Sequence, residues 1–286
     1  MFRTIFSFAV CLGLMTSGAF ADAPSGSRLQ SIAAKKTVKV AYRTDATPFS
    51  FLNNQKEPAG YTIDLCKLVV ASIEKQLGLQ GLKIEWVPVT TQTRFQALSG
   101  GTADMECGSS TITLSRMKDV DFSSIIFVET TGIVVKTATG INSLAELTGK
   151  NVAVIAGTTN EQTLTRLKQQ QKLDVTIVQV RDRGDAVAAM NGGRADAFAS
   201  DKLLLLGADI RDANAFKLLP DDLSFEPYGI ALPRGDWALR LAVNTGLAQS
   251  YRSGQAIDVF KRWFEQVGLR PTGLMAAAYQ FGALPD

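Results

Sequence analysis

The chain has 286 residues, of which 46% are hydrophobic and 20% charged, so it is long enough for two domains and its composition excludes an intrinsically disordered protein. The formal net charge is only +3, without a dense basic segment, which argues against nucleic acid as a partner and mildly favours small anions. There is no histidine, which excludes His-based acid–base catalysis, Ser-His-Asp triads and the usual histidine-containing metal sites, so we expect no metal and no cofactor.

Residues 1–21 have the pattern of a secretory signal peptide. Arg3 precedes an apolar run over residues 5–15, and small residues then end in Ala19-Phe20-Ala21, an A-x-A cleavage site. The run is shorter than the roughly 20 apolar residues that span a bilayer. The alternative is a buried N-terminal helix. We expect cleavage after Ala21 and secretion of the mature chain.

The cysteines fit this interpretation. Cleavage removes Cys11 and leaves Cys66 and Cys107 in an oxidising compartment, where an even number predicts one disulfide. Cys11 lies inside the apolar run behind Val10, without the small residue that lipoprotein processing needs, so we reject a lipid anchor.

The mature chain alternates strands and helices in two similar series. The first series is predicted as a strand at 37–42, a helix from 60–64 onward, a strand at 83–89 and a short helix at 94–98. The second is a strand at 151–155, a helix at 160–170, a strand at 175–180 and a helix at 185–190. Two long helices, at 237–251 and 256–267, follow. In the helix that begins at 60–64, Leu65, Val69 and Ile73 recur every fourth residue on one face. Such alternation predicts an α/β protein with parallel sheets.

An internal repeat relates the two series. Residues 97–104 match residues 189–196 at a constant offset of 92, and each segment ends a helix at a glycine pair and begins a short strand at Ala-Asp. Five residues after each aspartate lies a polar side chain, Ser109 in one half and Asp201 in the other. Open α/β sheets bind ligands at such strand ends. The repeat therefore predicts two similar lobes that face one cleft.

Two loops carry candidate binding groups. In residues 107–116, Ser109 is followed seven residues later by Arg116, so hydroxyl groups can meet an ammonium while the guanidinium holds a carboxylate; an ordinary turn is the alternative. In residues 156–161, Thr158 and Thr159 stand at a helix N-terminus, which favours an anion. Ordinary N-capping is the alternative there, and the two roles are compatible.

Further candidates are charged residues beside loops. Arg43 follows the first strand, Arg94 opens a short helix and Arg183 precedes Gly184; the alternative for each is a solvated surface position. Asp201 follows an apolar strand, where an acid suits an ammonium, and helix capping is its alternative. Because we identify no protein partner for Arg43 and Arg94, a second ligand carboxylate is their natural complement.

Several segments in order, taken together, carry a family resemblance over residues 38–267. They are Ala41-Tyr42-Arg43, Pro48-Phe49-Ser50, Gly60-Tyr61, Asp64-Leu65-Cys66, Thr91-Gln92-Thr93-Arg94, Glu106-Cys107-Gly108-Ser109, Thr111, Arg116, Gly157-Thr158-Thr159, Gly184-Asp185, Ala197-Phe198 and Asp201. The chain resembles the bacterial periplasmic solute-binding proteins of amino-acid ABC transporters, and especially their glutamate/aspartate-binding branch.

This resemblance implies the type II periplasmic-binding-protein fold, an α/β fold with two lobes around a ligand cleft. Lobe 1 would comprise residues 22–131 and 228–286, and lobe 2 residues 132–227. Two strands, near 127–135 and 225–232, would cross between the lobes. The tail over residues 270–286 has no predicted role.

The resemblance also implies roles for the matched residues. Arg116, with Thr111, Thr158 and Thr159, would hold the ligand α-carboxylate. Asp201, with Ser109 and Thr111, would receive the α-ammonium. Arg43 and Arg94, with Thr91, would neutralise the side-chain carboxylate. Cys66 and Cys107 match the disulfide of this branch. Arg183 stands where the branch usually has a histidine, and it would strengthen anion preference, shift the balance between aspartate and glutamate, or point to solvent.

The implied protein is not an enzyme. It would be a monomeric periplasmic component that captures glutamate or aspartate, with glutamine and asparagine as further ligands, and delivers them to an inner-membrane ABC permease. The alternative is a periplasmic cyclohexadienyl dehydratase, which acts on prephenate or arogenate and shares the fold. A sensor domain is a third, less favoured interpretation.

Overall fold

The computed structural model of the chain describes residues 26–170, 172–207 and 215–285. The predicted signal peptide and Cys11 therefore lie outside the described residues. Within the described ranges, none of the helices combines the length and the apolar character needed to cross a bilayer.

The described chain alternates short strands with helices. The strands are β1 (Thr37–Arg43), β2 (Asp45–Ala46), β3 (Ser50–Leu52), β4 (Pro58–Ala59), β5 (Lys83–Val89), β6 (Met105–Glu106), β7 (Val120–Phe122), β8 (Phe127–Glu129), β9 (Thr131–Lys136), β10 (Lys150–Ile155), β11 (Val175–Val180), β12 (Ala197–Asp201), β13 (Phe216–Leu218), β14 (Glu226–Tyr228) and β15 (Ala231–Pro233). The helices are α1 (Arg28–Lys35), α2 (Tyr61–Gln76), α3 (Arg94–Ser99), α4 (Thr159–Gln169), α5 (Arg183–Asn191), α6 (Lys202–Leu205), α7 (Trp237–Arg252), α8 (Gln255–Phe264) and α9 (Gly273–Gly282). The predicted α/β class is confirmed.

Two five-stranded mixed sheets organise the fold. The first sheet has the order β5-β1-β6-β15-β7, in which β5, β1 and β6 are parallel and β15 runs antiparallel to its neighbours. The second sheet has the order β11-β10-β12-β9-β13, with β11, β10 and β12 parallel and β9 antiparallel to both of its neighbours. The second sheet is thus made entirely from the middle of the chain, and the first sheet from segments on either side of it.

The two segments predicted to cross between the halves are each divided into two strands. Residues 127–135 form β8 and β9, and residues 225–232 contribute β14 and β15. Strands β8 and β14 pair with each other as a separate antiparallel ribbon, whereas β9 joins the second sheet and β15 the first. The division arises because each crossing segment changes its pairing partner as it leaves one sheet for the other.

The internal repeat is a structural correspondence. Asp104 Oδ2 accepts a hydrogen bond of 2.8 Å from the backbone N of Lys39, and Asp196 Oδ2 accepts one of 2.8 Å from the backbone N of Asn151. In both halves the backbone N of the same aspartate donates back to the carbonyl of the same partner at 2.8 Å. Each aspartate therefore fixes the start of the strand that follows it, β6 or β12, to the neighbouring parallel strand, β1 or β10.

The C-terminal tail forms a helix, α9, for which the sequence predicted no role. Tyr279 stacks on Tyr251 with ring centroids 4.8 Å apart, and its hydroxyl is hydrogen-bonded to the hydroxyl of Tyr61. Met275 is buried, and its Sδ accepts a hydrogen bond of 3.1 Å from the backbone N of Val128 in β8. The tail thus packs on the ribbon that connects the two sheets.

A disulfide joins Cys66 in α2 to Cys107, the residue after β6, with their Cα atoms 6.4 Å apart. Both cysteines are fully buried in the core of the first sheet. The bond therefore attaches the start of the loop that carries Ser109 to a long helix.

Replacing both cysteines with alanine should destabilise the protein. The bond closes a loop with a sequence separation of 41 residues, and a loop of that size corresponds to about 2–4 kcal/mol of stability. Urea unfolding of the wild-type protein and the C66A/C107A variant measures the difference. An unchanged midpoint in the double variant would contradict a stabilising role for the bond.

Candidate functional site

A small cavity lies between the two sheets, and it contains every residue that the sequence predicted for ligand binding. Its lining comprises Arg43, Thr91, Arg94, Ser109, Thr111, Arg116, Ile155, Thr158, Thr159, Asn160, Arg183, Ser200, Asp201 and Leu204. The volume open to the centres of water-sized molecules is about 30 Å³. The two halves are therefore close together around the site, which suits a small molecule rather than a polymer.

The fold explains why residues so distant in sequence meet here. Arg43, Ile155 and Asp201 are the last residues of β1, β10 and β12, and helices α3 and α5 begin at Arg94 and Arg183. Carboxyl ends of parallel strands and the helix starts that follow them share one edge of a sheet. With two sheets facing each other at these edges, the residues converge on one cleft.

One wall of the cavity combines a guanidinium with the N-terminus of α4. Arg116 Nη1 donates a hydrogen bond of 2.8 Å to the carbonyl of Thr111. Thr158 caps α4 by accepting a bond of 3.2 Å from the backbone N of Glu161, so the predicted capping role and a position on the cavity are both present. The hydroxyls of Thr111 and Thr159 lie 3.3 Å apart across the cleft. This wall offers donors and positive potential to an anionic group.

Asp201 presents a buried carboxylate to the same cavity. Its Oδ1 accepts a hydrogen bond of 2.7 Å from Asn160 Nδ2, and its Oδ2 accepts one from the Tyr228 hydroxyl. Burial, and then the nearby Glu226, raises the pKa of Asp201 to about 6, although these two hydrogen bonds act in the opposite direction. At neutral pH the group is therefore largely ionised and can receive a cation.

The helix-capping alternative for Asp201 is not observed. It precedes α6, but its side chain makes no capping hydrogen bond to the described residues of that helix. The carboxylate is directed to Asn160 and Tyr228 instead.

The other three arginines of the cavity are buried, so the surface alternative is wrong for Arg43, Arg94 and Arg183. Arg43 pairs with Asp45, whose Oδ1 lies 2.9 Å from Nε and 2.6 Å from Nη2. The expectation that Arg43 lacks a protein partner was therefore wrong. Asp45 was missed because an acid two residues past a strand cannot be distinguished in sequence from a solvated loop residue.

Arg94 differs from Arg43 in its surroundings. It is 4% exposed, and its side chain donates no hydrogen bond to any residue that the structure describes. Its guanidinium carbon lies 4.8 Å from the ring centre of Phe95, and that of Arg116 lies 5.3 Å from the same ring. Burial, followed by repulsion from Arg116, lowers the pKa of Arg94 to about 9, and the buried Glu106 partly opposes this. Arg94 remains charged at neutral pH and has unused donors.

Arg183 faces the protein interior rather than solvent, so one of the three options left open by the sequence is wrong. It is 5% exposed, and Nη1 donates to the carbonyl of Leu204. Its Nε is buried with no acceptor among the described residues. Burial lowers the pKa of Arg183, and Asp45 is the acidic group that opposes this most.

Several residues of the site were missed by the sequence analysis. Asn160 links Asp201 to the crossing strand β9, because its Nδ2 also donates a bond of 2.8 Å to Thr131 Oγ1. Glu106 lies fully buried behind the arginines, with Ser110 Oγ donating to it at 2.8 Å, and burial raises its pKa. Asn160 adjoins the predicted threonine pair, which was a usable signal. Glu106 and Tyr228 carried none, because their relevance depends on packing.

The described residues contain no group of three or more His, Cys, Asp or Glu side chains arranged to hold a metal ion.

Comparison with known proteins shows similarity to bacterial solute-binding proteins over most of the chain. The model of the family described as bacterial extracellular solute-binding proteins, family 3, matches residues 38–266. The glutamate/aspartate import solute-binding protein of Salmonella typhimurium is 34% identical over 268 residues, which cover 92% of this chain and 89% of that protein. The L-glutamate/L-aspartate-binding protein of Pseudomonas aeruginosa is 35% identical over 279 residues, covering 95% and 90% respectively.

Solved structures give the same picture of the fold. An ancestral arginine-binding protein bound to arginine superposes with a TM-score of 0.70 at 29% identity, covering 80% of this chain and 98% of that one. An ancestral amino acid-binding protein, a precursor of cyclohexadienyl dehydratase, has a TM-score of 0.70 at 30% identity, with coverage of 83% and 99%.

Proposed function

The chain belongs to the bacterial extracellular solute-binding proteins of family 3, and from this membership we propose that it is the periplasmic substrate-binding component of an amino-acid ABC transporter with glutamate and aspartate as its ligands. Relatives named for glutamate and aspartate support this ligand class. The proposed partner is the membrane permease of that transporter, and the proposed state is a monomer. The predicted cleavage after Ala21 is part of the same proposal.

The observation that carries the proposal is the state of Arg94. Of the described residues that line the cavity, four are arginines and one is an aspartate. The α-carboxylate and α-ammonium of any amino acid account for one arginine and for Asp201, and Asp45 already pairs with Arg43. Of the other two arginines, Arg183 donates to the carbonyl of Leu204, whereas Arg94 is a buried cation without a hydrogen-bond partner among the described residues. Because a buried unpaired charge is costly, a second ligand carboxylate is its natural complement.

The proposed roles follow the walls of the cavity. Arg116, Thr111, Thr158 and Thr159 would hold the α-carboxylate against the N-terminus of α4. Asp201, with Ser109 and Thr111, would accept hydrogen bonds from the α-ammonium. Arg94, with Arg43 and Thr91, would hold the side-chain carboxylate, and Arg183 would add positive charge beside it.

We further propose that the two sheets are the centres of two lobes, comprising residues 22–131 with 228–286 and residues 132–227. The ribbon of β8 and β14 would then be the hinge, and ligand capture would be a hinge closure. Cross-cleft contacts support this: Gln92 Nε2 donates a bond of 3.0 Å to the carbonyl of Arg181, and Thr111 meets Thr159.

Closure predicts that the protein becomes more compact when it binds its ligand. The described conformation has its halves in contact and so corresponds to the closed state. Under the hinge proposal, the ligand-free protein should open in solution. Small-angle X-ray scattering with and without glutamate measures this as a fall in the radius of gyration. An unchanged radius under saturating glutamate would contradict hinge closure.

A second candidate is dehydration of prephenate or arogenate, because one structural neighbour is a precursor of cyclohexadienyl dehydratase. That neighbour is itself an amino acid-binding protein, and the relatives of higher identity are named as binding proteins for glutamate and aspartate. We therefore propose binding without catalysis.

The direct test is titration calorimetry of the ligand-stripped mature protein with glutamate, aspartate, glutamine, asparagine, histidine and arginine. The expected result is one-to-one binding that is tightest for the two acids. Tighter binding of neutral or basic amino acids would preserve the class of protein but refute the role of Arg94. If none binds, assays with prephenate and arogenate decide whether the protein is an enzyme.

A further inference from the structure

A wider cleft opens from the ligand cavity toward solvent, and the two spaces meet at Arg43 and Thr91, which line both. This outer cleft has a volume of about 930 Å³, and Asp45 is part of its lining. Arg183 lines the cavity from the opposite half of the molecule. Around the junction residue Arg43, the lining thus includes the Asp45 carboxylate on the side of the outer cleft and the Arg183 guanidinium on the side of the cavity.

Asp45 is already engaged with the first half. Its Oδ1 contacts Nε and Nη2 of Arg43 at 2.9 and 2.6 Å. The Asp45 side chain is 34% exposed, whereas that of Arg43 is 5% exposed. The pair is thus anchored by a buried guanidinium, with the carboxylate at the boundary of the cavity.

Arg183 is a second buried arginine, and it lines the ligand cavity from the other half of the molecule. It is the first residue of α5, and its Nε has no acceptor among residues of the described ranges. Burial does most to lower the pKa of Arg183 and Arg43 lowers it further, whereas Asp45, ahead of Asp201, raises it. Arg43 and Arg183 thus line one small cavity from opposite halves, and Asp45 is paired with the first and is the main acidic influence on the pKa of the second.

We propose that Asp45 is a specificity-determining residue: a carboxylate of the protein that balances Arg43 and Arg183 when the cleft closes, and so allows closure on amino acids with neutral amide side chains as well as on acids. This inference rests on the proposed function. It gives the ligand class of the site more exactly, as acidic amino acids together with their amides.

The reason is the charge that each ligand adds. A glutamate side chain brings its own anion to the arginines, so closure is balanced with or without Asp45. A glutamine side chain brings none, and like charges brought together out of water are strongly unfavourable. Without Asp45, closure on glutamine would therefore be penalised more than closure on glutamate.

The test compares glutamate and glutamine affinities in the wild-type protein and in Asp45→Asn, by calorimetry at one fixed ionic strength. Asparagine retains an oxygen that can accept from Arg43 Nε, so the variant removes charge with little change of shape. The ratio of the glutamine dissociation constant to the glutamate one should rise by about tenfold or more, because close like-charge pairs cost this much or more in binding. An unchanged ratio would overturn the proposal.

The matched control is Asp185→Asn. Asp185 also lines the outer cleft and pairs with an arginine, Arg181, at 2.6 Å, but it is not among the main causes of the pKa shift of Arg183. Its replacement should leave the ligand ratio unchanged. An equal rise in both variants would show a general effect of surface charge and would overturn the proposal. Asp45→Ser gives a second neutral variant if Asp45→Asn fails to fold.

A double-variant cycle distinguishes the balancing of Arg183 by Asp45 from the effect of Asp45 on Arg43 alone. In an Arg183→Gln background, Asp45→Asn should no longer raise the ratio, since the second cation is gone. The same rise in both backgrounds would refute the part assigned to Arg183. A wild-type protein that binds glutamate but no glutamine would overturn the inference alone, whereas one that binds neither would contradict the proposed function itself.

Discussion

Replacing Arg94 with alanine is expected to weaken binding of glutamate and aspartate by about 2–5 kcal/mol, which is a factor of about 30 to several thousand in the dissociation constant. The loss for glutamine should be much smaller. The variant thus converts a site that prefers acids into one that discriminates little between an acid and its amide.

The size of this effect follows from the surroundings of Arg94. The guanidinium is buried, and no described residue accepts a hydrogen bond from it, so its donors are available to a ligand. The side-chain carboxylate of a bound acid would lose its main counter-ion, and it would remain out of water without compensation. An amide carries no net charge, so it loses a hydrogen bond at most.

The measurement is calorimetry with glutamate and glutamine on the same preparations. Arg181→Ala is the matched control, since Arg181 lies in the outer cleft, is 84% exposed and is paired with Asp185. It should have almost no effect, as exposed pairs contribute little. Equal losses for the acid and the amide in Arg94→Ala would show that Arg94 does not recognise the side chain.

Replacing Asp201 with asparagine should weaken every amino-acid ligand, by about 2–5 kcal/mol for acids and amides alike. All of them share the α-ammonium, and Asp201 is the acid that lines the cavity among the described residues. The contrast with Arg94→Ala is the informative feature, because one variant changes selectivity and the other changes affinity uniformly. A loss confined to glutamate would contradict an ammonium-binding role.

The same residue predicts a pH dependence of binding. Burial and the neighbouring Glu226 raise the pKa of Asp201 to about 6 in the ligand-free protein. The ligand ammonium favours the ionised carboxylate, so binding must displace the proton wherever Asp201 is protonated. Affinity should therefore be highest above pH 6 and should fall as the pH drops below it, approaching about tenfold per pH unit.

Calorimetry at several pH values between 5 and 7.5 tests this, with Asp201→Asn as the control. The variant should bind weakly at all of these values and should lose most of the pH dependence, because its amide does not titrate. If the variant retains the full slope, another group, such as Glu129 with its pKa raised to about 8 by burial, is responsible.

The pattern of the sequence was sufficient for the main strands and helices of the two series and for the ten candidate residues that line the cavity. Strand β11 and strand β5 begin and end at the predicted residues, because alternating β-branched runs bounded by polar turns are a local signal. The repeat at an offset of 92 predicted that Ser109 and Asp201 would occupy equivalent strand ends. Both line the cavity, but only Asp201 ends a strand, because β6 stops at Glu106, three residues before Ser109. Local chemistry and the repeat are encoded within a few residues, so they can be read without the fold.

Features that depend on long-range packing were not predictable in this way. The helix α9 at the end of the chain has a visible apolar content, but only its contacts with Tyr61, Tyr251 and Val128 show that it supports the crossing ribbon. The division of each crossing segment into two strands depends on which neighbours it pairs with. The spacing of apolar residues predicts neither the packing of α9 nor the division of the crossing segments.

The sequence by itself determined the α/β class, the family, the two cysteines left to form a disulfide and the ten candidate binding residues. Only the tertiary structure decided how the charges of those residues are paired. Asp45 neutralises Arg43, Arg94 is left with unused donors, and Arg183 turns inward toward Leu204. The physical reason is that the pairing of a charged side chain depends on its burial and on partners within a few ångströms. Chain order alone does not specify either.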